Sequence, residues 1–384
     1  MERHGTNGTA VAARWSAIGR PDIARILAGT SLIDEARLYE RNVENYIGVT
    51  RVPIGIAGPL RIRGRNASGD YNIPLATTEA TLVASYNRGA KLITEAGGCS
   101  AAVLEERIER SPAFVLRDLH QAVEFATWIY VRKHVLIATA ERTSRHARCV
   151  AIDPIIEGNH VYVACAVRTG EAAGQNMVTI ATAALCNYVV ANAPLEITSF
   201  VIESNLSGDK KATSRALSGT RGKRVSADVR IPRDLAIARL HVEPKKLAQW
   251  WQLGAIGAAM SGAVGIQGHY ANALTALAIA TGQDPACVAE SATGITRFEV
   301  DDRGDLYASV TLPNVVVGTV GGGTKLPTQR AGLELLASEE PLTARALAEI
   351  VAAIALAGEL SISGAICANE FAQAHQRMAR CEAT

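Results

Sequence analysis

The sequence predicts an α+β protein: a large domain of mixed helices and strands, interrupted by a small ferredoxin-like unit of order βαββαβ. Three observations predict it. The chain has 384 residues, more than one ordinary core uses, so two or three domains are expected. Residues 112–202 run strand, helix, strand, strand, helix, strand. The flanking segments, 44–111 and 203–384, differ from it in texture and read as one larger domain with the small one inserted.

In chain order, residues 1–43 form an N-terminal helical segment, because the apolar positions of RPDIARILAGTSLIDEARLYERN recur at helical spacing. IGVTRVPIGIAGPLRIRG, rich in Gly, Pro and β-branched residues, gives short strands and turns. The next segment, PLATTEATLVASYNRGAKLITEAGG, opens a helix. Thr78 is its N-cap, Leu82, Val83, Tyr86, Ala90 and Ile93 form its apolar stripe, and Gly97-Gly98 stop it. In the small unit AFVLR is a strand and DLHQAVEFATWIYVRKH a helix. ARCVAIDPII and NHVYVACAVR pair as a hairpin, GQNMVTIATAALCNYVVAN is the second helix, and EITSFVIE is the last strand.

Beyond it, SNLSGDKKATSRALSGTRGKRV is a loop by composition. Residues 253–282 are long and apolar enough to cross a bilayer, yet Gln267, His269 and Asn272 stand at their middle. A long buried helix, broken near Gly265 or Gly268, is expected there instead of a membrane span. A strand pair around DDRGDLYASVTLP, the glycine run GTVGGGTKLP and a helical C-terminal stretch complete the chain.

Composition narrows the function. A net charge of +2 with 20% charged and 5% aromatic residues provides no basic face for nucleic acid or an acidic membrane, so small-molecule partners are favoured. Seven scattered cysteines without CxxC spacing read as reduced thiols, and the polar N-terminus lacks the apolar core of a secretory signal. A cytoplasmic protein is expected. GxGxxG after a strand, GxxxxGK[ST], HExxH and GxSxG are all absent, which disfavours Rossmann, P-loop, zincin and α/β-hydrolase readings and leaves no metal site. RTGEAAGQNM and VGGGT could still offer bare backbone amides to phosphate.

Read one at a time, the polar candidates have ordinary explanations. Glu79 at a helix start favours the helix dipole, and Asp284 before Pro285 is an N-cap and N1 pair. Lys210 and Lys211 form a solvated charge run, and His375 is a surface histidine near the end.

Together, and in order, ENYIGVTRVPIGIAGPL, PLATTEATLVASYNRG, TSRHAR, TGEAAGQNM, DKK, GTRGK, ATGQDPA, VGTVGGGT and LAGELS resemble the 3-hydroxy-3-methylglutaryl-CoA reductase family in its soluble prokaryotic form, over residues 40–380. The resemblance implies that Glu79 is the catalytic acid and Lys210 the cation beside the reacting carbonyl. It makes Asp284 the partner tuning both, His375 the acid for the departing thiolate, and Asn272 the residue orienting the lysine. Ser85, Asn87 and Arg88 would face coenzyme A, while Arg110, Asp209 and Lys211 would hold the acyl group.

The same resemblance implies NADPH bound by the small domain, with Ser144 and Arg145 at the 2′-phosphate and Gly174 and Asn176 in the dinucleotide loop. Gly321, Gly322, Gly323 and Thr324 form a second glycine turn, with Arg380 adding to it from the tail. Family members share each site between two subunits, so a homodimer or higher assembly is expected. The chain departs from the pattern at Glu171, where Asp is usual, at Glu203-Ser204-Asn205, where Ser-Gly-Asn is usual, and at Leu253, where a lysine is usual. Cys381 stands where some relatives carry a regulatory serine. These departures leave open a related acyl thioester as substrate, or a non-catalytic paralogue that only binds CoA thioesters.

Overall fold

The computed structural model of the chain describes residues 8–28, 35–337 and 341–370. Near the N-terminus, helices Gly8–Ile18 and Pro21–Leu27 and the 3-10 turn Glu35–Tyr39 gather round a small core of Val11, Trp15, Ala36 and Tyr46.

The stretch 47–64, read as short strands and turns, holds one long strand that forms the first arm of an antiparallel hairpin. Strands β1 (Ile54–Gly64) and β2 (Ser68–Ala76) pair along their length, with a register shift between Ala57 and Leu60. Their inward residues Leu60, Ile62, Ile73 and Leu75 are fully buried, so period-2 burial outweighs the local Gly and Pro content. The following helix starts later than its sequence suggests. It spans Leu82–Glu95, and its N-cap is Thr81 in a left-handed conformation (φ 75°), not Thr78. Glu79 therefore lies in the turn ahead of the helix, outside the first-turn position that would make it a simple dipole partner. Gly97 and Gly98 end the helix at φ 98° and 96°, as expected.

Strand β3 (Cys99–Arg110) is the hinge of the architecture. Its first part runs parallel to β1 and antiparallel to β8 (Gly222–Ile231), while its last three residues, Ile108 to Arg110, pair with β6 (His160–Arg168). One strand thus serves two sheets. On one side, β3 and β8 continue through β11 (Leu306–Val315), β10 (Gly294–Val300) and β9 (Gly265–Ile266). On the other, β4 (Ala113–Val115), β5 (Arg148–Glu157), β6 and β7 (Ser199–Val201) form an antiparallel sheet of order β7-β4-β6-β5. Numbered by their place in the βαββαβ unit, that order is 4-1-3-2. Helices Leu119–Val131, Lys133–Glu141 and Gln175–Asn192 accompany it around a separate core of Phe114, Phe125, Ile129, Val161 and Leu185. The helix Lys133–Glu141 adds to the sequence pattern, in which the first helix ends at His134.

The segment 204–225, read as loop, runs into β8, a strand whose alternating buried residues Val225, Ala227 and Val229 follow directly on a glycine-containing run. The long buried helix expected over 253–282 is instead two helices. Pro244–Ser261 ends at Gly262 (φ 70°), β9 intervenes, and Tyr270–Thr281 follows. Only the second is buried, and Leu253, Ile256 and Met260 on the first are 71, 60 and 84% exposed. Among the described helices, Ala344–Cys367 is the one long and apolar enough to span a bilayer, and 89% of its most apolar stretch is buried inside the protein.

That helix is the centre of the large core, and it crosses Leu82–Glu95 with almost no gap. A Cβ on Gly89 would lie 1.9 Å from the Ala357 carbonyl oxygen, and one on Gly358 would lie 2.2 Å from the Tyr86 ring. Backbone cannot yield as a side chain can, so Gly89→Ala is expected to cost at least ~1–3 kcal/mol, the usual range for overpacking. Gly254→Ala, on an exposed helical face with nothing within 4 Å of the added carbon, is expected to stabilise by ~0.5–1 kcal/mol. Urea midpoints of the two variants moving in the same direction would contradict this packing.

Candidate active site

The loop 203–211 carries the lysine pair. Its backbone is left-handed at three places, Asn205 (φ 66°), Gly208 (φ 71°) and Lys210 (φ 56°). A non-glycine residue pays ~1–2 kcal/mol in that region, so the loop needs external support. Lys210 Nζ reaches Asp284 Oδ2 at 2.8 Å, while Asp284 Oδ1 accepts the Ala286 amide at 3.0 Å and caps the turn Pro285–Cys287. The capping role and the ionic role use different oxygens, so one does not exclude the other. The hydrogen bond that Lys210 donates to Asp284 raises the Lys210 pKa and outweighs desolvation, which keeps the ammonium charged.

Behind the loop lies a cluster of charges. Arg110, at the end of β3, donates to Asp209 Oδ2 (2.5 Å), Glu203 Oε2 (3.3 Å) and Thr179 Oγ1 (2.9 Å). Arg221, 2% exposed, lies 2.8 Å from Asp209 Oδ1 and donates to Glu290 Oε1 (2.5 Å) and Gln175 Oε1 (2.7 Å). Burial works against the Asp209 charge, yet the two guanidiniums outweigh it and hold the carboxyl below its usual range. Burial raises the pKa of Glu290, with Arg221 opposing. Burial, with Glu290 and Asp284 nearby, also pushes the neighbouring Cys287 thiol up to about 12, which leaves it inert as a nucleophile near neutral pH. Lys211 Nζ turns to the Asp209 carbonyl at 2.9 Å.

Glu79 stands elsewhere. Asn272 Nδ2 lies 3.3 and 3.4 Å from its two oxygens, so the amide orients the glutamate and not the lysine. Tyr86 stitches their elements together: its hydroxyl donates to the His269 carbonyl (3.0 Å) and accepts from the Ala273 amide (3.1 Å), and its ring stacks on His269 at 5.0 Å. Asn272 sits in the first turn of the 12-residue helix Tyr270–Thr281, and Asp284 lies just past its other end. At 1.5 Å per residue the helix rises about 14 Å from Asn272 to its end at Thr281, and Asp284 follows three residues later. Within one chain Glu79 is bonded by Asn272 and Lys210 by Asp284, and Glu79 and Lys210 form no ion pair.

Two cavities flank these pairs. One, of about 640 Å³, is lined by Glu79, Ser85, Arg88, Trp250, His269 and Asn272. Ser85 and Arg88 also bond to Ser361 on the central helix, at 2.9 Å from the hydroxyl and 2.5 Å to the carbonyl. Asn87 does not line the cavity, and its Oδ1 accepts the Gly58 amide at 3.0 Å. The second, of about 790 Å³, is lined by Ser144, Gly174, Asn176, Asp284, the run Gly321, Gly322 and Gly323, and Thr324. A Cβ on Gly321 or Gly322 would project into open space. Helix Gln175–Asn192 begins here at Gly174 (φ 88°) with no side-chain cap, leaving its first amides unclaimed by a side chain. Bare amides at a helix start and a glycine turn without side chains suit a dinucleotide phosphate. Arg145 is exposed, donates to His146 at 3.0 Å, and does not line the cavity.

Of the sequence departures, Glu171 ties the glycine turn to the central helix. Its carbonyl accepts the Thr319 amide (2.8 Å) and its carboxylate the Ala344 amide (2.5 Å). His375 and Arg380 lie outside the described residues. Arg221 and Glu290 escaped the sequence reading: Arg221 is inside the quoted GTRGK motif, but nothing local marks Glu290.

Two ligand-sized cavities, one bordered by Glu79 and the other by Asp284, a helix start and a glycine turn, give the chain room for a dinucleotide and a second substrate. The chain belongs to the hydroxymethylglutaryl-coenzyme A reductase family, whose model matches residues 10–380. It is 40% identical to 3-hydroxy-3-methylglutaryl-coenzyme A reductase of Methanocaldococcus jannaschii over 91% of this chain and 87% of that protein. It is 39% identical to the same enzyme of Haloferax volcanii, over 99% and 95% of the two chains. The class II reductase of Streptococcus pneumoniae bound to NADPH shares the fold, with a TM-score of 0.69 at 22% identity over 86% of this chain and 79% of that one.

The depressed Asp209 pKa has a consequence for acid unfolding. Because the folded value lies below the unfolded one of about 3.9, the stabilisation is complete above the unfolded value and is lost as pH falls through the folded value. Asp209→Asn is expected to flatten that part of the acid limb in a plot of Tm against pH. Identical acid limbs for the two proteins would show that Arg110 and Arg221 do not hold this charge.

Proposed function

We propose that this chain is an NADPH-dependent 3-hydroxy-3-methylglutaryl-CoA reductase that forms mevalonate and CoA, acting as a cytoplasmic homodimer or higher assembly. The observation that carries the reading is the Lys210–Asp284 pair at the edge of the glycine-lined cavity. Family membership supplies the substrate class.

NADPH supplies hydride, two per thioester. In each reduction, negative charge develops on the same carbonyl oxygen, and Lys210, kept charged by Asp284, is the cation that stabilises it. Glu79, oriented by Asn272, donates the proton that completes the alcohol. Between the two steps a hemithioacetal collapses to mevaldehyde and CoA thiolate, and His375 is assigned the proton for that thiolate. Ser85 and Arg88 hold CoA in the first cavity. Ser144, Gly174, Asn176 and the turn 321–324 hold the dinucleotide in the second, with Arg145 and Arg380 contributing charge to a 2′-phosphate. The ~14 Å of helix from Asn272, which bonds Glu79, to Thr281, three residues before Asp284, supports a site completed by a second copy, each subunit lending its glutamate to the other's lysine.

A related 3-hydroxyacyl thioester is a second reading, favoured by Arg110, the residue assigned to the acyl carboxylate. It is already engaged by both Asp209 and Glu203. Turnover across an acyl-CoA panel separates the two.

Purified protein with (S)-3-hydroxy-3-methylglutaryl-CoA is expected to oxidise two NADPH per thioester, and Lys210→Ala to abolish this. Arg145→Ala is expected to raise the KM for NADPH about 10-fold with little change for NADH. Inactive Glu79→Gln and Lys210→Ala chains, mixed and reassembled, are expected to recover roughly a quarter of wild-type activity, since half of random dimers carry one intact site. No recovery from verified mixed dimers would place both residues in one subunit's site.

A further inference from the structure

Within the charge cluster behind the lysine loop, Glu203, Glu290 and Arg221 have no role in the chemistry above. The two carboxylates nevertheless meet the loop at its strained points. Glu203 Oε1 accepts the amide of Asn205 (2.8 Å), and Glu203 Oε2 accepts the Ser207 hydroxyl (3.0 Å). Glu290 Oε1 accepts the amide of Lys210 itself (3.2 Å). Asn205 and Lys210 are the two non-glycine residues of this loop in the left-handed region. Each carboxylate is backed by one arginine, Arg110 for Glu203 and Arg221 for Glu290, and the two arginines share Asp209.

Stability alone is a poor reason for such a cluster. Burying a carboxylate costs several kcal/mol, and ion pairs in an interior seldom return more than an apolar replacement would. Glu290 is fully buried, and its other oxygen, Oε2, has no hydrogen-bond partner. What the cluster does supply is a fixed backbone under Lys210, whose side chain is 42% exposed and lacks packing to hold it. A left-handed residue swings its side chain when the backbone relaxes to the right-handed region, and Lys210 would then leave Asp284.

We infer that Glu203 and Glu290 are positioning residues that hold Lys210 against Asp284 by clamping the loop backbone, with Arg110 and Arg221 as the counter-charges that keep both carboxylates in place. The inference rests on the proposed role of Lys210 in the reduction. It adds a task to Glu203, the residue at which this chain departs from its family's Ser-Gly-Asn pattern.

The test uses the full-length assembled enzyme with NADPH and (S)-3-hydroxy-3-methylglutaryl-CoA, comparing Glu290→Gln, Glu203→Ala and Glu203→Gln with Lys210→Ala. Glu290→Gln and Glu203→Ala are expected to lower kcat on the order of 10–100-fold, the usual effect of a displaced catalytic group, with the KM for NADPH within about twofold. Glu203→Gln, which keeps an acceptor for the Asn205 amide, should recover part of the Glu203→Ala loss. The alkaline limb of kcat should move to lower pH in the impaired variants, because Lys210 loses Asp284. The other groups facing Lys210, which are Asp209, Cys287 and the Glu290 carboxylate, do not replace that contact. A merely structural loss would lower Tm without moving this limb. If Glu290→Gln does not fold, the Glu203 pair decides alone. Wild-type kcat and an unmoved alkaline limb in the folded variants, with Lys210→Ala inactive, would overturn the inference. Turnover by Lys210→Ala equal to wild type would instead remove the role of Lys210 on which it rests.

Discussion

Two carboxylates on the central helix hold the rest of the structure in register. Glu349 and Glu359 are 0% and 1% exposed on Ala344–Cys367, and each spends its charge on backbone amides of other elements. Glu349 accepts from Asn66 and Ala67 (both 2.8 Å) at the tip of the β1–β2 hairpin and from Val103 (3.3 Å) on β3. Glu359 accepts from the amides of Gly268 (2.7 Å) and His269 (2.8 Å) and from the Thr296 hydroxyl (2.7 Å). Charged acceptors in a dry core make strong bonds, and leaving one unmade is costly. The helix therefore dictates where the hairpin ends and where Tyr270–Thr281 begins.

The placement of Glu79 follows from that constraint. Glu359 fixes the residues before Tyr270, and Tyr86 bonds to the same turn from the helix that Glu79 precedes. Gly89 and Gly358 allow the two helices to approach closely enough for this to happen. Asn272 meets Glu79 because both of their elements are anchored to one helix, although 193 residues separate them in the chain. The LAGELS motif, which contains Gly358, Glu359 and Ser361, is thus the shared support of the Glu79 pair and of Ser85 and Arg88.

The lysine half of the site depends on the other junction, where β3 leaves one sheet for the next. Arg110 ends β3, Arg221 immediately precedes β8, and Gln175 opens the helix at the dinucleotide cavity. Ile108, Val167, Val178, Cys287 and Val316 pack beneath as a small core between the two larger ones. A shift at this junction would be felt at Asp209 and Lys210 and at the glycine turn together. The geometry couples the position of the dinucleotide to that of the cation.

Local patterning suffices for the α+β class, the order of strands and helices over residues 112–202 and the glycine stops, because period-2 and helical spacing and turn residues act locally, while the family is carried by motifs matched in order along the chain. The sequence also marked Asp284 as a cap, which it is. Its errors were ones of context. β1, β2 and β8 lay in glycine-rich text whose pairing is decided by partners far along the chain. The helix over 253–282 was split by Gly262 and β9, a break whose place depends on the Gly265–Gly294 pairing. Only the tertiary structure decided that Asn272 serves Glu79, that Asn87 turns to Gly58, that Glu290 reaches the Lys210 amide, and that the glutamate and the lysine lie at opposite ends of one helix. Each of these depends on distances between residues that have no local relation in sequence, set by close helix crossings and buried charges.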